Sequence, residues 1–401
     1  MARRSISVTP QGIDYKPGLR TLEEHINSVP EADYRDAIAN PMDVLDHWNI
    51  YKQTRSPQGY KGGPGLTMVS DINPMSNPKS SNHKLSMNAS NPNHIIRNSW
   101  EMGVALSHAD TSGVLDVCGS CRTPQCTALC NGRSGHYALS PDSKAGGASR
   151  AQQIRTNYWA DHPQMAGALT VIQARSGARE AQSMGLIPIL RFNMYQDVDL
   201  PNTTLGGPLV HDFNEIAGTR AEGLSSQFHM LEHSNYTKNT MNRALKPGES
   251  EPDANYPDSY HITASASENS PMKRIMQRHA AGGTTHVAFW TNSKGEKPSS
   301  VTLEDKHGDR GTFPMFNADN MDAVMHNKAL GNTGIGAMGL KMVPGMKDIE
   351  GKMTPSSFIR PLDPDAPVGS PMGIPEKYAS PETKEKLGVV QKTTRKTAPK
   401  K

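Results

Sequence analysis

The sequence predicts an α/β fold in which repeated βα units form a barrel-like or partial-barrel domain, with a long polar N-terminal extension and a disordered basic C-terminal tail. Three observations predict it. From about residue 150, short apolar runs alternate with helix-period segments at spacings of about 25–40 residues, the pattern of parallel βα units. Leu, Ile, Val and Phe number only 66 of 401 residues, so the core is smaller than the chain. Gly and Pro, at 35 and 30, ask for many turns, while a net charge of +4 is too small to hold a whole chain unfolded. These patterns divide the chain into a polar extension over 1–100, an α/β core over 101–345, and a Pro-rich, then basic, tail over 346–401.

In the extension, Asp43-Val-Leu-Asp-His-Trp48 reads as a short helix; the rest is turn-rich and wraps the core. Ser112–Val117 reads as a short strand that ends at Cys118. Helices follow over Arg150–Trp159 and Gln164–Met184. The second has Met165, Leu169, Ile172, Ala178 and Ala181 at helical spacing, with Gly185 as its C-terminal stop. Gly185–Asn193 reads as a buried strand, with Pro188 near an edge or bulge. Residues 208–219 read as a helix, Gln227–His233 as a strand, and Lys238–Leu245 as a helix. Ser259–Ser265 is the next strand, followed by a helix over Ser270–His279 with Pro271 in its first turn. Thr285–Trp290 and Gly334–Lys341 are the last strands. An open doubly wound sheet is the second architecture this order allows. No Gly-x-Gly-x-x-Gly follows a strand and no P-loop is present, so a nucleotide cofactor held by such loops is not expected.

All four cysteines lie in 13 residues, as Cys118, Cys121, Cys126 and Cys130. A disulfide protein would spread them to close long loops; clustering points to a metal or cluster site in a reducing compartment. Two occupants compete. An iron–sulfur cluster suits the Cys-x2-Cys start and Cys-x3-Cys end, although the middle spacer is long and Asn131 stands where proline often follows. Zinc needs only tetrahedral sulfur from one short lobe, and could be a staple that merely joins loops.

In α/β enzymes the reacting groups stand at the carboxyl ends of the strands. There the sequence offers Asp197, Tyr236, Lys238, Ser265 and Glu268 as candidate catalytic base, acid and anion clamp. Glu268 could equally cap the helix that follows. Asn193 and the carboxylates Asp319 and Asp322 are candidates for orienting a cofactor or ligand.

No run of about 18 apolar residues exists, so no membrane-spanning helix is expected. No apolar segment follows Met1–Ser7, so secretion is not expected and the location is read as cytoplasmic. The last 18 residues hold seven basic side chains and one acid, either a solvated tail or a phosphate-binding arm for nucleic acid.

Several segments resemble one family. They are Cys126-Thr-Ala-Leu-Cys130, Leu190-Arg-Phe-Asn193 with Asp197, Asn235-Tyr-Thr-Lys238, Tyr260-His-Ile-Thr-Ala-Ser-Ala-Ser-Glu268, and Asn317-Ala-Asp-Asn-Met-Asp322 with Gly339-Leu-Lys341. In this order they resemble the bacteriophage gene product 88 family, over roughly residues 110–345. The chain departs from the family pattern at Cys130-Asn131-Gly132, where Cys-Tyr-Ala is usual, and at Asn317-Ala318-Asp319, where Asp-Gly-Asp is usual. The resemblance implies a phage origin and an intracellular setting, and no reaction. Two functions are therefore expected from the residues themselves. One is a metal- or iron–sulfur-binding α/β enzyme acting on nucleotides or nucleic acid. The other is a zinc-stapled module that binds nucleic acid or protein without catalysis.

Overall fold

A computed structural model describes residues 18–55, 66–74, 99–109, 111–119, 148–183, 187–193, 196–215, 232–237, 260–280, 284–290, 298–317, 334–340, 359–376, 379, 381 and 385. The chain enters through three helices, α1 (Leu22–Asn27), α2 (Glu31–Ala39) and α3 (Pro41–Arg55). Helix α1 starts on a capping box. The Thr21 hydroxyl accepts from Glu24 N–H at 3.1 Å, and the Glu24 carboxylate accepts from Thr21 N–H at 2.9 Å. The expected helix over 43–48 is the middle of a longer α3. Leu22, Ile26, Tyr34, Val44 and Trp48 are all buried, so this polar-looking stretch contributes to the core it wraps.

The strands are β1 (Val69–Pro74), β2 (Ser99–Val104), β3 (Ile187–Arg191), β4 (Glu232–Thr237), β5 (Tyr260–Ser265), β6 (Thr284–Trp290), β7 (Ser300–Glu304), β8 (Arg310–Asn317), β9 (Gly334–Leu340) and β10 (Ile359–Arg360). They form one sheet in the order β1-β2-β3-β4-β5-β6-β9-β8-β7, with β10 added on β6. Strands β2 to β6, β9 and β8 are parallel; β1 and β7 close the two edges antiparallel. Among the described residues the sheet is therefore mixed α/β and open-ended, not a closed barrel. From β2 to β6 it is wound in one direction, and β9 then lies between β6 and β8.

Helices α4 (Ala148–Asp161) and α5 (Pro163–Ser183) link β2 to β3, α6 (Gly206–Glu215) follows β3, and α7 (Met272–Ala280) links β5 to β6. Their positions match the sequence reading closely, as do β3, β5, β6 and β9. Helix α5 can lie on β2 and β3 because its inner face is small. Ala166, Ala168, Ala174, Ala178 and Ala181 are buried, and a Cβ at Gly177 would collide with the Met102 sulfur.

Three expectations change. Ser112–Val117 is not a strand. Its Ser112 hydroxyl accepts from the backbone of Val114 and Leu115, which makes a turn, and only Asp116 bridges, to Thr21. The first parallel strand is β2 instead. Strand β4 runs to Thr237, four residues past the expected end at His233, because its polar sequence, Glu-His-Ser-Asn-Tyr-Thr, carries no apolar signal; residues 227–231 lie outside the described residues. Finally, part of the expected tail belongs to the fold: β10 pairs in parallel with β6, and Ile359, Leu362 and Ile374 are buried. The expected helix at 238–245 and the basic run from 386 onward lie outside the described residues. No helix among the described residues is long and apolar enough to cross a membrane.

Candidate functional site

Because β2 to β6, β9 and β8 are parallel, their carboxyl ends share one edge of the sheet. A cavity of about 170 Å³ opens there, between α1 and the segments that follow β2 and β3. Glu23, Asn27, Asp116, Cys118 and Asp197 line it.

Asp116 builds the floor. Its backbone pairs with the entry to α1, through Leu22 N–H to Asp116 O at 2.8 Å and Asp116 N–H to Arg20 O at 3.1 Å. Its carboxylate accepts from Cys118 N–H at 3.1 Å and Gly119 N–H at 3.2 Å. This Asx turn directs the start of the cysteine segment past the cavity, with Gly119 at φ +51° against the Thr21 methyl. Cys118, the first residue of the cysteine run, therefore stands in the cavity wall. Cys118 is half-buried, while Cys121, Cys126 and Cys130 lie outside the described residues. Among the described residues no group of three or more His, Cys, Asp and Glu side chains is arranged to hold a metal ion.

The loop after β3 supplies the opposite wall. Asn193 is buried, and its amide spans the loop, donating to Val198 O at 3.0 Å and accepting from Val198 N–H at 3.4 Å. Gln196 donates to Phe192 O and, at 2.9 Å, to Val104 O at the end of β2. These bonds hold Asp197, whose N–H donates to Val117 O at 2.9 Å. The structure thus brings Asp197 and Cys118 together, and gives Asn193 a loop-shaping role.

Glu23 completes the acidic wall. Burial raises its pKa; the N–H of Asp199, donated at 3.3 Å, pulls it back, and the charges of Asp199, Asp197 and Glu24 add to the rise. The net result is a carboxyl whose pKa lies above the usual carboxylate value. Sequence reading passed over Glu23 and Asp116. The signals were present in the Thr21-x-x-Glu24 capping box and the Asp-x-Cys spacing.

Farther along the edge stand the residues after β5, separated from the β3 loop by one strand, β4, or about 10 Å across the sheet. Ser265 and Glu268 are half-buried. The start of α7 is met by Asp305, whose carboxylate accepts from Met272 N–H at 2.9 Å. Glu268 lies in the field of Arg360, a buried guanidinium whose pKa burial lowers to about 10 against the upward pull of Asp305, Glu268 and Glu304. Tyr236 is the penultimate residue of β4; Lys238, Asp319 and Asp322 lie outside the described residues.

The family model for gene product 88 matches residues 75–334. That stretch runs from the residue after β1 to the first residue of β9, and includes the cysteine run and the loops that carry Asp197 and Glu268. No curated protein and no solved structure matches the chain. With more than half of its length matched, and with the resemblance seen in its motifs, the chain belongs to the gene product 88 family.

Proposed function

We propose that the chain is a metal-dependent α/β enzyme whose centre lies at the carboxyl edge of the parallel sheet. Cys118, Cys121, Cys126 and Cys130 would hold zinc or an iron–sulfur cluster. Asp197, with Tyr236, Lys238, Ser265 and Glu268, would serve the substrate along the same edge. The observation that carries the reading is the cavity in which Cys118, the first residue of the cysteine run, meets Asp197 and Glu23. A staple needs no catalytic neighbours, whereas this thiol stands beside one carboxyl whose pKa burial and like charges raise and another backed by a hydrogen-bonded loop.

The acidic wall also speaks to the substrate. Glu23, Asp116 and Asp197 would repel a phosphate, so a nucleotide or nucleic acid would present its base or sugar here. A reducing cell interior suits four thiols kept free for a metal, and a partial barrel suits the one-way winding of β2 to β6.

The test is metal and acid-labile sulfide analysis of anaerobically purified protein, together with a visible spectrum. Broad visible absorbance that disappears in the Cys118→Ser variant supports a cluster, and one stoichiometric zinc supports the zinc form. Protein that purifies with neither metal, and cannot be loaded with either, defeats the reading. Removing residues 384–401 should weaken DNA or RNA binding and flatten its salt dependence; unchanged binding would leave the tail without that role.

A further inference from the structure

The wall that α1 gives the cavity comes from outside the stretch that the family model matches. Asp116, Cys118 and Asp197 lie within residues 75–334, whereas Glu23 and Asn27 precede it. The helix is nonetheless a fixed part of the site. Leu22 and Ile26 are fully buried in the larger core cluster. Hydrogen bonds fasten the helix to both strand-end segments. After β2, Asp116 O accepts from Leu22 N–H at 2.8 Å. After β3, the side-chain oxygen of Asn27 accepts from Thr204 N–H at 2.9 Å, and the Glu23 carboxylate accepts from Asp199 N–H at 3.3 Å. These anchors make α1 a wall and not a lid.

The carboxylates around the cavity are not equivalent. Asp116 is engaged by the N–H groups of Cys118 and Gly119. Glu24 is exposed and caps α1 through Thr21 N–H. Glu23 is half-buried, accepts one long bond, and faces the charges of Asp197 and Asp199. Among the described residues no cation pairs with it. Carboxylates withdrawn from water are ordinarily paired, because burial and like charges both oppose ionisation. A positive group entering the cavity relieves that repulsion, and an anion adds to it.

We propose that Glu23 is a specificity-determining residue of this cavity, admitting a positively charged group of the substrate and turning an anionic one away. The inference rests on the reading of the cavity as the functional site. It assigns the selectivity to α1, while the stretch matched by the family model supplies Cys118 and Asp197.

Cys118 lines the same cavity and can report its potential. In the full chain with Cys121, Cys126 and Cys130 replaced by serine, Cys118 is the only thiol. Its modification is timed with two methanethiosulfonates of similar size, one bearing a trimethylammonium and one a sulfonate. In both cases the thiolate displaces methanesulfinate and forms a mixed disulfide, so the ratio of rates cancels the thiol's own reactivity. Divided by the same ratio for the urea-unfolded chain, it should favour the cation about tenfold at low salt and fall toward one at about 1 M salt. Glu23→Gln should lower that preference about fivefold. Glu24→Gln, which can still cap the helix, should change it less than about twofold. The proposal is overturned if the folded chain shows no preference for the cation, if Glu23→Gln leaves the preference unchanged, or if Glu24→Gln lowers it as much. Should the serine variant fail to fold, chelator-stripped wild type replaces it, with modification at Cys118 read by peptide mass spectrometry. The measurement needs no metal, so a chain that binds none defeats the proposed centre and leaves the selectivity result standing.

Discussion

Around β1 to β3 the core is closed mainly by rings and small side chains, with a single buried guanidinium, Arg155, on the carbonyls of Thr67 and Ala105; around β5 to β9 it is closed by two guanidinium groups over a smaller apolar cluster. In the first region Trp48, Tyr51, Tyr158 and His162 pack ring against ring, with Trp48 and Tyr158 centroids 4.8 Å apart. Trp159 meets Phe192 edge-on at 5.9 Å. In the second region the apolar cluster is smaller, and two arginines are almost wholly buried. Arg278 donates to Ile262 O at 2.9 Å; Arg360 donates to Ser267 O at 3.1 Å and to Glu304 O. The difference teaches how a chain poor in aliphatic residues holds a long sheet. Where apolar side chains suffice they fill the space, and where they do not, long cations satisfy the carbonyls of loops and strand ends. The second solution depends on every partner being present.

The largest expected effect tests the apolar region. Trp159→Ala removes a fully buried ring and should lower unfolding free energy by about 4 kcal/mol in a urea titration. A loss below about 1 kcal/mol would mean that the ring is not a keystone, and the contrast would fail.

Next comes the cation-closed region. Arg360→Met keeps most of the volume but strands two carbonyls and removes a buried positive charge that interacts with Asp305 and Glu268. The expected loss is about 3 kcal/mol, and Arg360→Lys should recover little of it because an ammonium cannot reproduce the fork. Full recovery with lysine would show that charge alone matters there.

How much of this was legible in the sequence follows the same division. Helix α5 and strands β3, β5, β6 and β9 were readable because their apolar residues recur with a clear period. The end of strand β4 was placed four residues early because both of its faces are polar, and β7–β8 passed unread for lack of an apolar run long enough to stand out. Arg360 could not have been read. It sits in a Pro-rich stretch, and its partners are backbone carbonyls 56 and 93 residues away, to which sequence pattern is blind. The strand-end rule pointed to Asp197, which lines the cavity, and to Ser265, which ends β5 outside the cavity's lining. Glu23 escaped because it comes from a helix in the polar extension and reaches the cavity only through the Thr21–Asp116 bridge.

A smaller effect separates two carboxylates of the apolar half. Asp212 accepts from Tyr34 at 2.6 Å and from Arg35 at 2.9 Å. Burial pushes its carboxyl up, but the hydrogen bonds from Tyr34, Arg35 and His211 and the Arg35 charge more than offset this, so its pKa lies below the usual carboxylate value. The folded state therefore favours the ionised form. That stability is fully present above the unfolded value of about 3.9 and disappears as pH falls through the lower folded value. Asp212→Asn should cost about 1–2 kcal/mol at neutral pH and remove this acid-sensitive part, so that variant and wild type converge as the solution is acidified. Parallel pH profiles would refute the assignment.

Glu23 should respond with the opposite sign. Burial, together with the charges of Asp199, Asp197 and Glu24, outweighs the Asp199 N–H and raises its pKa. The folded state favours its proton. Stability from this group is present below the unfolded value of about 4.3 and is lost as pH rises through the higher folded value, so at neutral pH the ionised side chain is a liability. Glu23→Gln should then be neutral or stabilising, by less than about 1 kcal/mol because solvent reaches the site, with no gain below about pH 4. Thermal melts at pH 7 and pH 4 would measure it. A carboxylate that anchors structure loses stability on neutralisation, as Asp212 should. One kept among like charges at the mouth of a cavity gives stability up, which is the mark of a group retained for what the cavity binds. If Glu23→Gln instead lowers stability at pH 7 by more than about 1 kcal/mol, the residue is an anchor like Asp212, and the acidic wall is part of the scaffold.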